Sequence, residues 1–543
     1  MSVTSAMDVI DYEVWNFNYD PHLFRHPLWM TSNHLKYRLY RDNLGVMHCL
    51  KDGEGRYIKS PRSLSDVCIY DIVCNLDILR QMQDPYLPLD LYPRLLSEAI
   101  YQRELHAIEY LIATWPQSVL KLYDVVPLED QIEHDYLTTP IDGNEGTNLL
   151  DCIMLGLLNR QPQAMMQVID FTGFEKDRKL CRELSRLPVL WMEPEDRTVN
   201  MLYDYMYPTY EIAKDKIQRY LNRISVIYHQ FDSEFKHGTK MAPLTILLDL
   251  KMTLDDVAFG LCLQWHTPFR FVCNKLWIKE IPEVGTSTKR LANVLELSLL
   301  THLEISSPCI AKDGRKLREF LAGLEQLKHV TALSIPSTVD TSVVPQAAEK
   351  INKTLQKMRT LKRLNFAYCN LKLSVKPLLQ GLSQKFEYLN LRDCRLIEDD
   401  VHFLLHWKPV VYLRELNLSN NNLTFVEHVS TMLVQKMKLL TCFAVSYCSL
   451  SVGALQRIVK KARLHGQMKV LAIQNFTPMS DEDMSNILLD CAMLTTLQKC
   501  IMLPETYAFP GNNENEREEN LELTLDFCYE FLRSHKREDI AIA

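Results

Sequence analysis

Apolar residues in the second half of the chain recur at fixed offsets inside a short motif, and the motif itself recurs at a looser interval. The clearest copy sets Leu413, Leu416, Leu418 and Leu423 around Asn421 in the order L-x-x-L-x-L-x-x-N-x-L. Two upstream copies carry cysteine in the Asn slot: Leu361, Leu364, Phe366, Cys369, Leu371, and Phe386, Leu389, Leu391, Cys394, Leu396. A downstream copy runs Leu440, Phe443, Val445, Cys448, Leu450, and a looser one runs Met468, Leu471, Ile473 with Phe476 in the slot. Degenerate copies surround Leu303 and Leu333, and Leu494 with Leu497 closes the series. The second anchor therefore falls at 303, 333, 364, 389, 416, 443, 471 and 497, in steps of 30, 31, 25, 27, 27, 28 and 26. Between anchors, Asp399–Trp407 and Val452–Leu464 carry apolar residues at helical spacing. Ser480 followed by Asp483 has the form of a helix N-cap.

A strand followed by a full helix, repeated at this period, is the long type of leucine-rich repeat. The expected fold class is α/β, a horseshoe-shaped solenoid preceded by an α-rich N-terminal region. Strand anchors point onto the helices of the convex side. The slot residue turns the chain away from the sheet, where Asn or a small thiol can satisfy nearby backbone groups. Cys369, Cys394 and Cys448 are expected to be structural. The alternate strand positions face outward on the concave side, the usual binding surface of solenoids. They include Lys362, Arg363, Asn365, Glu387, Tyr388, Asn390, Arg392, Arg414, Glu415, Asn417, Thr441, Ser446 and Tyr447. Arg363, Glu387, Tyr388, Arg392, Arg414, Glu415 and Tyr447 are the candidates for contact with a client protein. Their mixed charge with tyrosine suits a polar protein better than a phosphate backbone.

The N-terminal half follows other periods. Residues 1–60 hold Trp15, Phe17, Tyr19, Phe24 and Trp29 without clear periodicity, with a turn expected at Gly53 and Gly55. From Ser63, the expected N-cap, Leu64, Cys68 and Ile72 share one helical face, with Leu76 one turn further. Prolines at 88 and 93 mark helix starts. Further helical patterns cover Ile100–Thr114, Leu149–Leu158, Ala164–Ile169 and Tyr210–Ile227. The expected organisation is an extension over 1–60, an α-rich region over 61–210, degenerate repeats over 211–295, the repeats over 296–500, and a closing loop and helix over 501–543. A polar loop is expected over 512–520 and the last helix over Leu521–Ser534.

Composition narrows the chemistry. Hydrophobic residues make up 47% and charged residues 24% of the 543 positions, which is globular rather than disordered. Net charge is -7 and glycine is scarce at 16 residues, giving neither a nucleic-acid footprint nor a Gly-rich phosphate loop. The 15 cysteines, none in a C-x-x-C pair, read as reduced thiols of a cytoplasmic or nuclear protein. The acidic N-terminus does not have the form of a signal peptide, and no apolar stretch approaches the ~18 residues of a spanning helix. No metal or cofactor is expected: the 16 histidines do not cluster at ligand spacing, and no nucleotide, protease or kinase signature is present. Asp399 with Asp400, and Asp481 to Asp483, precede helices and favour the positive end of the helix dipole. Lys460, Lys461 and Arg463 form a solvated helix face.

Several segments outside the repeats resemble the PRAME family. They are Leu87-Pro88 with Leu91-Tyr92-Pro93, Trp115-Pro116, Leu155-Gly156-Leu157, Val168 to Gly173, Pro268 to Cys273, and Ile281-Pro282. Their order and approximate spacing agree from about residue 62 to 500. Several members of that family are substrate receptors of cullin-2 ubiquitin ligases and dock on elongin C through a BC box, [S/T/P]-L-x-x-x-C-x-x-x-[aliphatic]. Ser63, Leu64, Cys68 and Ile72 fit its fixed positions. Leu87, Pro88 and Leu91 stand where a cullin box is placed. The resemblance thus implies a non-enzymatic adaptor whose partners are elongin B/C, cullin-2 and a client, with neither nucleic acid nor membrane. The alternative is a repeat protein that sequesters a signalling protein without ligase coupling. A third reading, an enzyme with a site in 120–290, requires a cleft with perturbed titratable groups there.

Overall fold

A computed structural model describes residues 49–51, 57–59, 64–81, 88–89, 91–126, 136–138, 148–161, 164–172, 174, 180, 244–252, 269–278, 300–305, 314–325, 327–335, 339–344, 346–464, 466–476, 479–504, 506–511 and 514–542. These fall into two compact units, one up to Leu300 and one from Thr301.

The first unit opens with an antiparallel strand pair, β1 (Cys49–Lys51) and β2 (Tyr57–Lys59). Helices α1 (Leu64–Cys74), α2 (Leu76–Gln81), α3 (Leu91–Gln102) and α4 (Leu105–Ala113) follow. Leu76 does not continue α1. The chain breaks at Asn75, whose Oδ1 accepts the N–H of Ile78 at 3.2 Å and starts α2. α4 is crossed by α6 (Leu149–Leu158), which follows the single-turn α5 (Leu122–Val125). Asn148 caps α6 by accepting the N–H of Asp151 at 2.8 Å, and Asp151 accepts the N–H of Asn148 at 3.0 Å. The two helices meet closely because Gly156 has no side chain: a Cβ there would lie 2.6 Å from the Glu109 carbonyl oxygen and from the Ile112 Cβ.

Two short strands lie inside the stretch expected to be helical. β3 (Val119–Lys121) and β4 (Val168–Asp170) pair in parallel, and β5 (Leu244–Met252) and β6 (Phe269–Ile278) extend the same ladder. The helix expected over Ala164–Ile169 is extended chain leading into β4. A three-residue strand is too short to outweigh a chance helical spacing. Within 120–290, Asp249 is a buried acid, with Lys275 Nζ at 3.8 Å and Asn274 Nδ2 donating to it at 3.1 Å across adjacent strands. The helix expected over Tyr210–Ile227 lies outside the described residues.

The second unit is a leucine-rich-repeat solenoid. Its strands are β7 (His302–Ile305), β8 (Ala332–Ser334), β9 (Arg363–Asn365), β10 (Tyr388–Asn390), β11 (Glu415–Asn417), β12 (Cys442–Ala444), β13 (Val470–Ala472), β14 (Lys499–Ile501) and β15 (Ala541–Ile542). They form one parallel ladder in chain order. Leu303, Leu333, Leu364, Leu389, Leu416, Phe443, Leu471 and Cys500 stand in register. Helices alternate with the strands: α7 (Gly314–Leu324), α8 (Ala347–Lys357), α9 (Val375–Leu379), α10 (Glu398–His406), α11 (Glu427–Lys436), α12 (Val452–Ala462), α13 (Asp481–Ala492) and α14 (Glu514–Ser534). Every anchor in that register is buried. Ser480 caps α13 by accepting the N–H of Asp483 at 3.2 Å. The ladder runs past Leu497 into β14 and β15, and α14 begins at Glu514 instead of 521, with Glu514 and Glu516 in its first turn.

The slot works as a backbone hub. Asn421 Nδ2 donates to the carbonyls of Leu391 and Leu418, both at 2.8 Å, while Oδ1 accepts the N–H groups of Cys394 and Leu396, both at 3.1 Å. The Cys394 and Cys448 thiols donate to the carbonyls of Phe366 and Leu418 at 3.0 and 3.2 Å. Burial pushes the Cys369 and Cys448 thiols up to about 12. Phe476 is a correction to the motif, because it stands exposed rather than in the buried slot. Asp400 does more than cap its helix: its carboxylate also accepts the N–H groups of Leu373 at 3.0 Å and Val375 at 3.2 Å in the preceding repeat.

Candidate functional site

The outward strand positions form two columns along the ladder. One column runs Arg363, Tyr388, Glu415, Cys442, Val470, Lys499, and the other Asn365, Asn390, Asn417, Ala444, Ala472, Ile501. The parallel register of identical three-residue strands forces this stacking, because side chains alternate between the two faces of a sheet.

The candidate client contacts divide by accessibility. Arg363 reaches over β10 to Glu415, with Nη2 at 3.0 Å from Oε2, and its guanidinium lies 4.5 Å from the Tyr388 ring centre. Glu415 and Tyr388 are buried beneath it, and burial, above all, pushes the Tyr388 phenol up. These three residues brace neighbouring repeats. Arg414 is exposed, and Glu387, Arg392 and Tyr447 are half-buried. Lys362 Nζ meets Glu387 at 3.2 Å beside them. The Arg392 guanidinium lies 5.9 Å from the Tyr368 ring centre, and the Tyr447 and Phe476 rings are 5.3 Å apart. Tyr368, Asp393, Asn420 and Tyr447 each precede a slot residue in left-handed backbone, with φ of 63°, 50°, 59° and 56°. The turn thereby fixes where both tyrosines leave the chain.

Three residues read as outward contacts have another job. Asn365, Asn390 and Asn417 are buried, and each Oδ1 accepts the N–H two residues on, from Ala367, Arg392 and Ser419 at 3.0, 3.0 and 2.9 Å. Asp170 does the same for Thr172 at 2.8 Å in the first unit. This is the Asx-turn chemistry of short polar side chains. Lys469 and Lys499 were missed among the face residues because their repeats are degenerate: the anchor of the last repeat is Cys500 and not the expected Leu497, and only that register locates Lys499 beside Val470.

The proposed docking helix is built differently. α1 packs inward through Ile69 and Val73, leaving Cys68 exposed and Ile72 half-exposed on another face. Leu64 opens the helix, whereas Ser63 and Leu87 lie outside the described residues. Pro88 is exposed, its carbonyl accepts the N–H of Leu91 at 3.0 Å, and Leu91 is half-buried at the start of α3. Among the eleven cysteines whose side-chain burial is described, Cys68 and Cys74 alone are exposed. Among the described residues, no His, Cys, Asp or Glu group of three or more is gathered for a metal, and no helix is long and apolar enough to cross a membrane.

Comparison with known proteins agrees with the repeat geometry. The leucine-rich-repeat family model matches residues 412–432. The chain is similar to leucine-rich repeat-containing protein 14 of Xenopus laevis, at 23% identity over 385 residues, covering 67% of this chain and 71% of that protein. The proteins of the same name from Bos taurus and Homo sapiens are 21% identical over 361 residues, covering 63% of this chain and 66%, just under two thirds, of theirs. The repeats of the second unit are leucine-rich repeats. Such a solenoid mediates protein–protein interaction through its strand face.

Proposed function

We propose that the chain is a PRAME-type substrate-recognition adaptor of a cullin-2 ubiquitin ligase, working in the reducing cytoplasm or nucleus. The strand face would hold a client through its accessible rim, Glu387, Arg392, Arg414 and Tyr447. α1 would insert Leu64 into an apolar pocket of elongin C, with Cys68 small enough for close approach. Leu87, Pro88 and Leu91 would meet cullin-2. The adaptor does no chemistry itself and supplies proximity. One observation carries this reading: α1 is held by Ile69 and Val73, so docking through Cys68 and Ile72 costs no core packing.

The test is capture of elongin B/C and cullin-2 by the wild type and by Leu64→Ala/Cys68→Ala. Removing a buried anchor costs about 2 kcal/mol or more, so capture falls at least about tenfold while the melting temperature stays unchanged. A folded wild type that captures neither partner would overturn ligase coupling. The chain would then be a binding protein that sequesters its partner on the strand face.

A further inference from the structure

The connections that lead from each helix into the next strand share a charge. From α8 to β14 they are residues 358–362, 380–387, 407–414, 437–441, 463–469 and 493–498, and they hold eight Lys or Arg against one acid, Glu387. The chain as a whole carries a net charge of -7, so this edge of the solenoid runs against its composition. Two of the eight are neutralised, Lys362 by Glu387 at 3.2 Å and Arg463 by Asp490 at 3.1 Å. The other six, Arg359, Lys385, Lys408, Arg414, Lys438 and Lys469, are exposed and form no ion pair with a described residue. The helix dipole favours cations within the last turn, but Lys385, Arg414 and Lys469 stand more than a turn past the ends of α9, α10 and α12. Neighbouring connections enter their strands about 5 Å apart, inside the ~10 Å reach of a charge at about 0.1 M salt, so the cations repel one another and an incoming anion relieves that repulsion. Exposed apolar side chains lie among them: Val411, Tyr412, Leu439, Leu464 and Met493. Lys385 Nζ stands 5.4 Å from the Tyr412 ring centre, so charge and ring are offered together.

We propose that this edge docks an acidic segment of a partner protein, one with apolar side chains set between its carboxylates. Charge complementarity and the interleaved apolar residues together select that chemistry. Carboxylates answer the six unpaired cations, and apolar side chains of the same segment pack on Val411, Leu439 and Met493. A nucleic acid fits less well: its phosphates give those aliphatic groups nothing to pack on, and among the five apolar residues Tyr412 alone offers a ring for a base to stack on. A bilayer fits less well too. Insertion needs apolar side chains that project into the headgroup region, whereas Val411, Tyr412 and Leu439 are 37%, 40% and 37% exposed and lie nearly flush. Arg414 belongs both to this edge and to the accessible rim of the strand face, so the two surfaces are continuous. The inference rests on the solenoid being the protein-binding part of the chain, and it holds whether or not α1 binds elongin.

Selection of short random peptides, displayed on phage, against the full-length chain tests this. Peptides retained by the wild type should be at least about twofold richer in Asp and Glu than the starting library, with Leu, Val or Phe between the acids. Lys385→Glu/Arg414→Glu/Lys438→Glu should retain at least about tenfold fewer phage at an unchanged melting temperature, since all three side chains are exposed. Leu439→Ser/Met493→Ser, which keeps every cation, should also retain fewer. Retained peptides no richer in acids, or equal retention by either variant, would overturn the proposal. So would single-stranded RNA or phosphatidylserine vesicles that the wild type binds more tightly than the best acidic peptide and the charge-reversed variant does not bind, a result that assigns the edge to a nucleic acid or a membrane. Capture of elongin B/C and cullin-2 by the charge-reversed variant should stay at the wild-type level, so the fate of this edge and the fate of ligase coupling are read separately.

Discussion

At the residue scale, one side chain per repeat decides whether the turn closes. Asn421 meets three carbonyls and two N–H groups of the nearby backbone, whereas the Cys394 thiol at the equivalent place reaches two carbonyls. Replacing Asn421 with Ala strands several buried polar groups at once, at about 1–3 kcal/mol each when nothing replaces the partner. Asn421→Ala should therefore lose on the order of 3 kcal/mol in urea unfolding, and Asn421→Cys distinctly less. Equal losses for the two would show that the slot is filled for volume and not for hydrogen bonding. The slot was legible from sequence because its chemistry has few solutions. The roles of Asn365, Asn390 and Asn417 were not, since strand alternation says which face a side chain takes but not that a backbone N–H two residues on will claim its oxygen.

At the element scale, legibility followed length and repetition. α10 and α12 follow their apolar spacing, and the three-residue strands of the array were found only because the same anchors recur eight times. β3 and β4 have no such family of copies to reveal them, and the break before Leu76 depends on a cap made by Asn75. The crossing of α4 and α6 rests on the one position where a methyl group has no room. Gly156→Ala would drive its Cβ into the Glu109 carbonyl and Ile112, so the helices must part. A loss of about 1–3 kcal/mol is expected by thermal or chemical unfolding, against the small gain that alanine brings to an unhindered helix. A stabilised variant would show that the crossing is looser than 2.6 Å implies.

At the scale of the whole molecule, the repeats stack without a second layer beyond them, so the ends need closing. Arg537 does this at the C-terminal end. Its guanidinium donates to the carbonyls of Ala492, Leu494 and Leu497 at 2.7, 2.9 and 2.8 Å, and Asp539 clamps it at 2.8 and 3.0 Å. The hydrogen bond from Arg537 leads the causes that hold the Asp539 carboxyl below its ordinary value. A depressed carboxyl contributes stability above its unfolded value of about 3.9, and that contribution is lost as pH falls through the folded value. The melting temperature of the wild type should therefore exceed that of Asp539→Asn at pH 7 and converge with it toward about pH 3. A gap that stays constant with pH would mean that shape, not charge, holds the clamp. The array was legible in sequence down to Leu471; the last anchor was expected at Leu497 but is Cys500, and the closing strand was not legible because β15 is two residues long and carries no motif.

The distribution of thiols gives the molecule a built-in chemical address. Of the eleven cysteines whose side-chain burial the structure describes, nine are buried, and the two that are not, Cys68 and Cys74, both belong to α1. Alkylating reagents will therefore reach that helix ahead of the buried repeat cysteines. Any partner that covers it will shield the Cys68 sulfur, so the rate of modification becomes a clock for occupancy of the helix without a label being added.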